Sequence, residues 1–190
     1  MGAAGLIEIK RRLKSVESTR KITKAMGLVA TSKLRKVRNE LANNEKYNEL
    51  CKDIVDVVVS NLPEGYESIY CTERKGDKLY IVLTSDTGLC GGYNNNVIAY
   101  LKEVLDNESG TEKIVLVGSK GLSYMSKYGL STFNQYVSIP DIPTIAEINK
   151  IYNEAIYLYK QGDISEVNIV YTKFISPMKQ EPILIKMLPF

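Results

Sequence analysis

The stretch Ser85-Asp86-Thr87-Gly88-Leu89-Cys90-Gly91-Gly92 holds the residue types that come nearest to chemistry. A glycine-rich turn between a strand and a helix can bind phosphate on backbone N–H groups and a helix N-terminus. The phosphate-cradling pattern needs a Lys and a Ser or Thr directly after the glycines. Tyr93 and Asn94 stand there instead, and the dinucleotide spacing of glycines is also missing. A second turn, Gly118-Ser119-Lys120-Gly121, lacks the full loop spacing. Both therefore read as structural turns, and no cofactor is expected. Cys90 would act as a nucleophile only with a favoured thiolate and a base beside it. No base is evident, so a buried or half-buried structural thiol is expected. Asp86 reads as a turn cap or a partner contact rather than a general base.

Two absences narrow the chemistry further. Without histidine there is no Ser–His or Cys–His catalysis and no imidazole metal ligand. Cys51, Cys71 and Cys90 are odd in number, widely spaced and free of any C-x-x-C pair, which favours reduced thiols over a disulfide scaffold or a zinc site. No catalytic, cofactor-binding or metal-ligating residue is predicted.

The elements carrying these turns follow from the apolar pattern. Leu79–Leu83 and Ile114–Val117 are short continuous apolar runs that read as buried strands. Helices are expected at about 95–105, through Leu122, Met125 and Tyr128, and from a Thr144 cap to Lys160. Residues 131–137 read as extended. Strands at 166–174 and 182–188, with no helix between them, should form an antiparallel hairpin at one edge. Apolar strands separated by helices indicate a largely parallel sheet covered on both faces. The predicted fold is α/β: a long N-terminal coiled-coil helix projecting from a Rossmann-like domain. Its boundaries are 1–62 for the helix, 63–77 for a connection and 78–190 for the α/β domain.

The helix is the unusual part. Its apolar stripe runs through Leu6, Ile9, Leu13, Val16, Ile22, Met26, Val29, Leu34, Val37 and Leu41, then Tyr47, Leu50, Ile54 and Val57. Steps of three and four dominate, near the 3.5-residue period of a coiled coil. No proline precedes Pro63. Such a helix is about 85 Å long at roughly 1.5 Å per residue and cannot cover its own stripe, so a partner is required.

Charge singles out the same helix. Of 25 basic and 22 acidic residues, eleven basic and one acidic (Glu17) fall between residues 10 and 38, leaving fourteen and twenty-one elsewhere. The segment carries +10 and the remainder −7, a dipolar molecule behind a net charge of +3. An ordinary solvated helix mixes signs to gain i,i+4 pairs; a one-sided basic helix expects acidic company.

Composition is that of a soluble protein, 44% hydrophobic and 25% charged. The apolar runs are too short to cross a bilayer, and no charged-then-apolar signal peptide opens the chain. A cytosolic compartment is expected.

Specific residues carry a resemblance. Lys21-Ile22-Thr23-Lys24-Ala25-Met26, then Val29-Ala30 and Ser32-Lys33-Leu34-Arg35-Lys36, resembles the N-terminal helix signature of the gamma subunit of F-type ATP synthases. Ser85-Asp86 with Gly88-Leu89-Cys90-Gly91 resembles the central loop of that family, and Tyr171-Thr172-Lys173-Phe174 with Leu188-Pro189 resembles its later strands. The family loop has Arg where this chain has Thr87.

The resemblance implies a non-catalytic central-stalk rotor that couples transmembrane ion flow to ATP synthesis at the beta subunits. It implies as partners the alpha and beta subunits of the catalytic head, the epsilon subunit, the membrane c-ring and the chain's own C-terminal helix, with no nucleic acid. It places the protein peripherally on the cytoplasmic face of the bacterial plasma membrane. Met26 would lie where the shaft meets an acidic segment of a beta subunit, with Lys24, Lys33, Arg35 and Lys36 supplying positive surface. Asp86, Gly88, Leu89 and Cys90 would sit at the same rotor–stator contact. The C-terminal helix of the family coiled coil does not occur before Phe190, so the sequence reads as a fragment.

Two other readings compete. The basic helix could bind nucleic acid through phosphates, although its continuous apolar stripe and lack of a base-reading Asn and Arg pattern argue against that. A nucleotide-dependent enzyme on the α/β domain would need the missing Lys-Ser/Thr signature.

Overall fold

The computed structural model describes residues 2–108 and 110–190, with side chains from residue 5 onward. The elements in chain order are α1 (Gly2–Ser60), β1 (Lys78–Leu83), α2 (Tyr93–Asn107), β2 (Glu112–Val117), α3 (Gly121–Lys127), β3 (Asn134–Tyr136), α4 (Ile145–Gln161), β4 (Glu166–Ser176) and β5 (Lys179–Leu188). The chain divides into one unit ending at Val57 and a second spanning Val58–Phe190.

The first unit is helix throughout its described length. Straight-chain Lys, Arg, Glu and Leu, with no proline, sustain it. Threonines within it return their hydroxyls to the preceding turn, as from Thr23 to the Thr19 carbonyl at 2.9 Å and from Thr31 to the Gly27 carbonyl at 2.8 Å. All fourteen residues of the predicted stripe are exposed, the least exposed being Val37 at 37%. The helix closes with tighter bonds, Asn61 N–H to the Val58 carbonyl and Leu62 N–H to the Val59 carbonyl, before Pro63 stops it. No helix among the described residues is long and apolar enough to cross a membrane.

The second unit is a five-stranded sheet of order β3-β2-β1-β4-β5, parallel except for the antiparallel β4–β5 pair at one edge. Strand alternation sends side chains to two cores. Tyr80, Val82, Ile114 and Leu116 meet Val97, Ile98 and Leu101 of α2 and Met125 of α3 on one face. Leu79, Ile81, Val115 and Val117 meet Ala155, Leu158 and Tyr159 of α4 on the other. The α4 helix starts at a capping box, with the Glu147 carboxylate accepting from the Thr144 N–H at 2.7 Å, and stops at Gly162 in the left-handed conformation.

The largest departure from expectation is segment 63–77. Expected as a connection, it is built into the second unit. The Tyr70 ring stacks on Tyr159 with centroids 6.1 Å apart, and the Arg74 guanidinium lies 4.3 Å above the Tyr159 ring. Arg74 also donates to the Tyr159 and Ile164 carbonyls at 3.0 and 3.4 Å, and Phe190 N–H donates to the Tyr70 carbonyl at 2.8 Å. A polar, glycine-bearing stretch looks like a linker in sequence; here two aromatic rings and one cation fix it in place. The extended segment expected at 131–137 contracts to β3, because only residues 134–136 find parallel partners on β2.

Candidate functional site

The loop between β1 and α2 leaves the sheet at the carboxyl end of β1, beside the point where strand order reverses between β1 and β4. Its base is held by Asn94, the residue standing where a phosphate loop would have Ser or Thr. Asn94, only 3% exposed, accepts from the Ser85 N–H at 2.9 Å and donates to Ser85 Oγ at 2.8 Å and Cys90 Sγ at 3.4 Å. Ser85 Oγ donates to the Thr87 carbonyl at 2.7 Å. The side chains that would grip a phosphate in other proteins here tie the loop to itself.

Asp86 turns into the fold. Its Oδ1 accepts from the Ser119 N–H at 2.9 Å and its Oδ2 from the Ile139 N–H at 3.1 Å, while Ser119 Oγ donates to the Asp86 carbonyl at 3.1 Å. Burial alone would raise its pKa. The N–H groups of Ser138, Ser119 and Ile139 and the Ser119 hydroxyl more than offset that and hold the carboxyl below the usual range. Asp86 thus clamps three loops together: its own, the Gly118–Gly121 turn and the segment before α4. The carboxylate takes N–H groups 33 and 53 residues away rather than those of its own turn, so the expected turn cap is replaced by a clamp between loops.

Beyond Asp86 the loop points outward. Gly88, Leu89 and Cys90 are exposed, with Leu89 at φ +64° and Gly91 at φ +58°. Cys90 is therefore exposed rather than buried or half-buried, because the left-handed residues on either side curl the tip away from the sheet. The glycines of the second turn answer to packing. A Cβ on Gly121 would lie 2.6 Å from Thr84 Oγ1 and 2.8 Å from a Leu116 methyl carbon. Gly118, at φ +99°, presses against the Thr84 backbone.

Next to this cluster an open apolar cavity of about 1320 Å³ lies between the sheet and α4, lined among others by Ile81, Leu83, Val117, Ile148, Tyr152 and Ile169. Its charged lining residues are Asp86, Asp141 and Glu147, so a polyphosphate there would meet negative charge alone. No cluster of metal-ligating side chains occurs among the described residues.

The remaining predicted site residues, Lys24, Met26, Lys33, Arg35 and Lys36, are exposed on α1, in the other unit. They do not share one face. At 3.6 residues per turn, Lys33 is about two turns from Met26 and lies on the same line, whereas Arg35 is about two and a half turns away and points opposite. Lys24 shares the Arg35 side, and Lys36 lies between. The helix is positive around its circumference. Sequence reasoning missed Asn94, Ser119 and Ile139 as supports of the loop; the polar Asn two residues after Gly92 was the one visible signal.

Because the folded-state pKa of Asp86 is depressed, its contribution to stability is present above the unfolded value of about 3.9 and is lost as pH falls through the lower folded value. Asp86→Asn turns an amide donor toward one backbone donor, and should cost about 1–3 kcal/mol at pH 7. Urea unfolding of parent and variant should show this gap narrowing below about pH 4; a constant gap would mean that the carboxylate charge is irrelevant.

The ATP synthase family model (ATP-synt) matches residues 5–190. The ATP synthase gamma chain of Clostridium botulinum is 54% identical over all 190 residues, which span 67% of that relative. The gamma chain of Clostridium beijerinckii is 50% identical with the same coverage. The chain thus spans about two thirds of the curated relatives it matches. A chain of the Tetrahymena thermophila mitochondrial ATP synthase central stalk/c-ring structure has the same fold, with a TM-score of 0.64 at 24% identity over 88% of this chain and 72% of that one.

Proposed function

The chain belongs to the ATP synthase gamma chain family, and on that premise we propose that it is a non-catalytic central-stalk rotor. It couples ion flow across the membrane to ATP synthesis at the beta subunits of the catalytic head. The observation that carries this reading is α1: an unbroken helix of 59 residues with an exposed apolar stripe and a net charge of +10 between residues 10 and 38. A shaft passing successive equivalent stations gains from attraction that is long-range and weakly directional. Cations distributed around the helix meet that need at every angle of rotation. The partners are the alpha and beta subunits around the shaft, with the epsilon subunit and the c-ring at the membrane, and the chain acts peripherally on the cytoplasmic face. Lys24, Met26, Lys33, Arg35 and Lys36 form one part of the rotor–stator contact, and Gly88, Leu89 and Cys90 the other. Asp86 supports the second set from behind. The nucleic-acid reading has no support in the family.

Met26→Lys tests the shaft contact. A long cation at that position can form new charged hydrogen bonds with acidic beta side chains, roughly 1.5–3 kcal/mol each. Holding one station too firmly should lower ion pumping per ATP hydrolysed in reconstituted complexes, while Met26→Ala stays close to the parent. Equal pumping per ATP in Met26→Lys and parent complexes would count against Met26 as a contact.

A further inference from the structure

We propose that Arg74 is a positioning residue for rotation: it pins segment 63–77 to Tyr159, so that twist passes between α1 and the α/β unit without being absorbed. This rests on the rotor reading above and assigns the part that carries the load. Segment 63–77 is the covalent link from α1 to β1 and contains no helix or strand. Left free, its fifteen residues would span roughly 20 Å as a random coil and take up twist themselves. Several ties prevent this, and those of Ile69, Tyr70 and Arg74 converge on one residue. Tyr159, fully buried near the end of α4, donates its hydroxyl to the Ile69 carbonyl. Its ring stacks on Tyr70 and lies beneath the Arg74 guanidinium. Its carbonyl, in the negative last turn of the helix, accepts from Arg74. Further along, the Ser165 hydroxyl donates to the Gly76 carbonyl at 3.0 Å and the Ser165 N–H to the Asp77 carbonyl at 2.7 Å.

The kind of tie matters. Tyr66 and Ile69 are exposed, so apolar burial holds this strap only loosely, and apolar contacts are non-directional. Arg74 is a poor stabiliser by its setting. It is half-buried, its Nε is buried without a hydrogen-bond partner, and it forms no ion pair among the described residues. Its fork instead bridges two places, donating to the Tyr159 carbonyl in α4 and to the Ile164 carbonyl ahead of β4. Planar, directional bonds of this kind resist displacement. A cation held at a desolvation cost, where the core gains little from it, points to a mechanical role.

Arg74→Gln, in the chain assembled into its complex, decides the matter through two readings. One is hydrogen exchange at the Cys71, Thr72 and Phe190 amides, which bond within the strap or to it. The other is the angular spread of a bead on α2 while α1 is stalled in the alpha–beta ring. Exchange is expected to quicken roughly ten- to a hundredfold, the size of one charged hydrogen bond. The angular spread should widen while ATP hydrolysis and assembly stay at parent levels. Arg74→Lys, which keeps the cation but not the fork, should recover part of the stiffness. Faster exchange with an unchanged angular spread would show that the strap bears no load, overturning the assignment and leaving the rotor reading intact. Unchanged exchange would overturn it too, since Arg74 would then not hold the strap. Should Arg74→Gln fail to assemble, Tyr159→Phe decides by the same readings: it keeps the ring and removes only the hydroxyl tie to Ile69. A bead that does not turn with ATP on the parent complex would defeat the rotor reading and the assignment together.

Discussion

Replacing Gly118 by alanine is expected to destabilise the α/β unit by roughly 2–5 kcal/mol. Two costs combine. A non-glycine residue in the left-handed region is strained by about 1–2 kcal/mol, and Gly118 sits at φ +99°. The new Cβ would also overlap the Thr84 backbone, an atom group that cannot rotate away. Thr84 is fixed there because its N–H and hydroxyl both donate to the Val117 carbonyl at 2.7 Å. Overpacking of this kind adds roughly 1–3 kcal/mol, against a total stability of about 5–15 kcal/mol for a typical domain. Gly129→Ala is the matched control: it too has positive φ, at +69°, but its Cβ would meet nothing within 4 Å. It should cost only the conformational part. The chain lacks tryptophan, so urea unfolding is best followed by near-ultraviolet dichroism of the buried Tyr80 and Tyr159. Equal losses at Gly118 and Gly129 would show that the Thr84 contact relaxes and that close packing does not explain the glycine.

Reversing Lys33, Arg35 and Lys36 to Glu together should weaken assembly with the alpha–beta ring by roughly a hundredfold or more at low ionic strength, since opposing like charges cost several kcal/mol. Lys, Arg and Glu have similar helix propensities, and the apolar stripe is untouched, so circular dichroism should register an unchanged helix. The defect should shrink as salt rises, because the screening length falls from about 10 Å at 0.1 M to about 3 Å at 1 M. Lys33 and Arg35 lie on opposite sides of the helix, so a shaft enclosed on all sides predicts similar losses from each single reversal. Native-gel assembly across a salt series measures both effects. A triple variant that assembles normally at low salt would remove electrostatics from the mechanism.

The sequence by itself determined the elements and the character of the long helix. The three-and-four spacing from Leu6 to Val57 and the absence of proline before Pro63 required α1, since helix formation depends on local periodicity and propensity. Leu79–Leu83 and Ile114–Val117 lie inside β1 and β2, and the missing helix between the last two strands correctly implied the antiparallel β4–β5 edge. The excess of cations between residues 10 and 38 was likewise readable, because charge is additive along a chain. The motifs of α1, the glycine loop and the last strands also sufficed to suggest the family.

Tertiary structure alone decided which way individual side chains of the site face. Asp86 and Leu89 are three residues apart in one turn, yet one is drawn into the fold by partners 33 and 53 residues away and the other is left in water. Segment 63–77 looked like a connection until Tyr70 and Arg74 met Tyr159, and Arg74 reaches carbonyls 85 and 90 residues further along the chain. Cys90 looked half-buried until the left-handed residues beside it turned the tip outward. Periodicity and composition report what neighbours in sequence can do together. Contacts across tens of residues are fixed only when β1, β2 and the segment before α4 converge at one end of the sheet, and there the clamp and the exposed leucine are made from the same short loop.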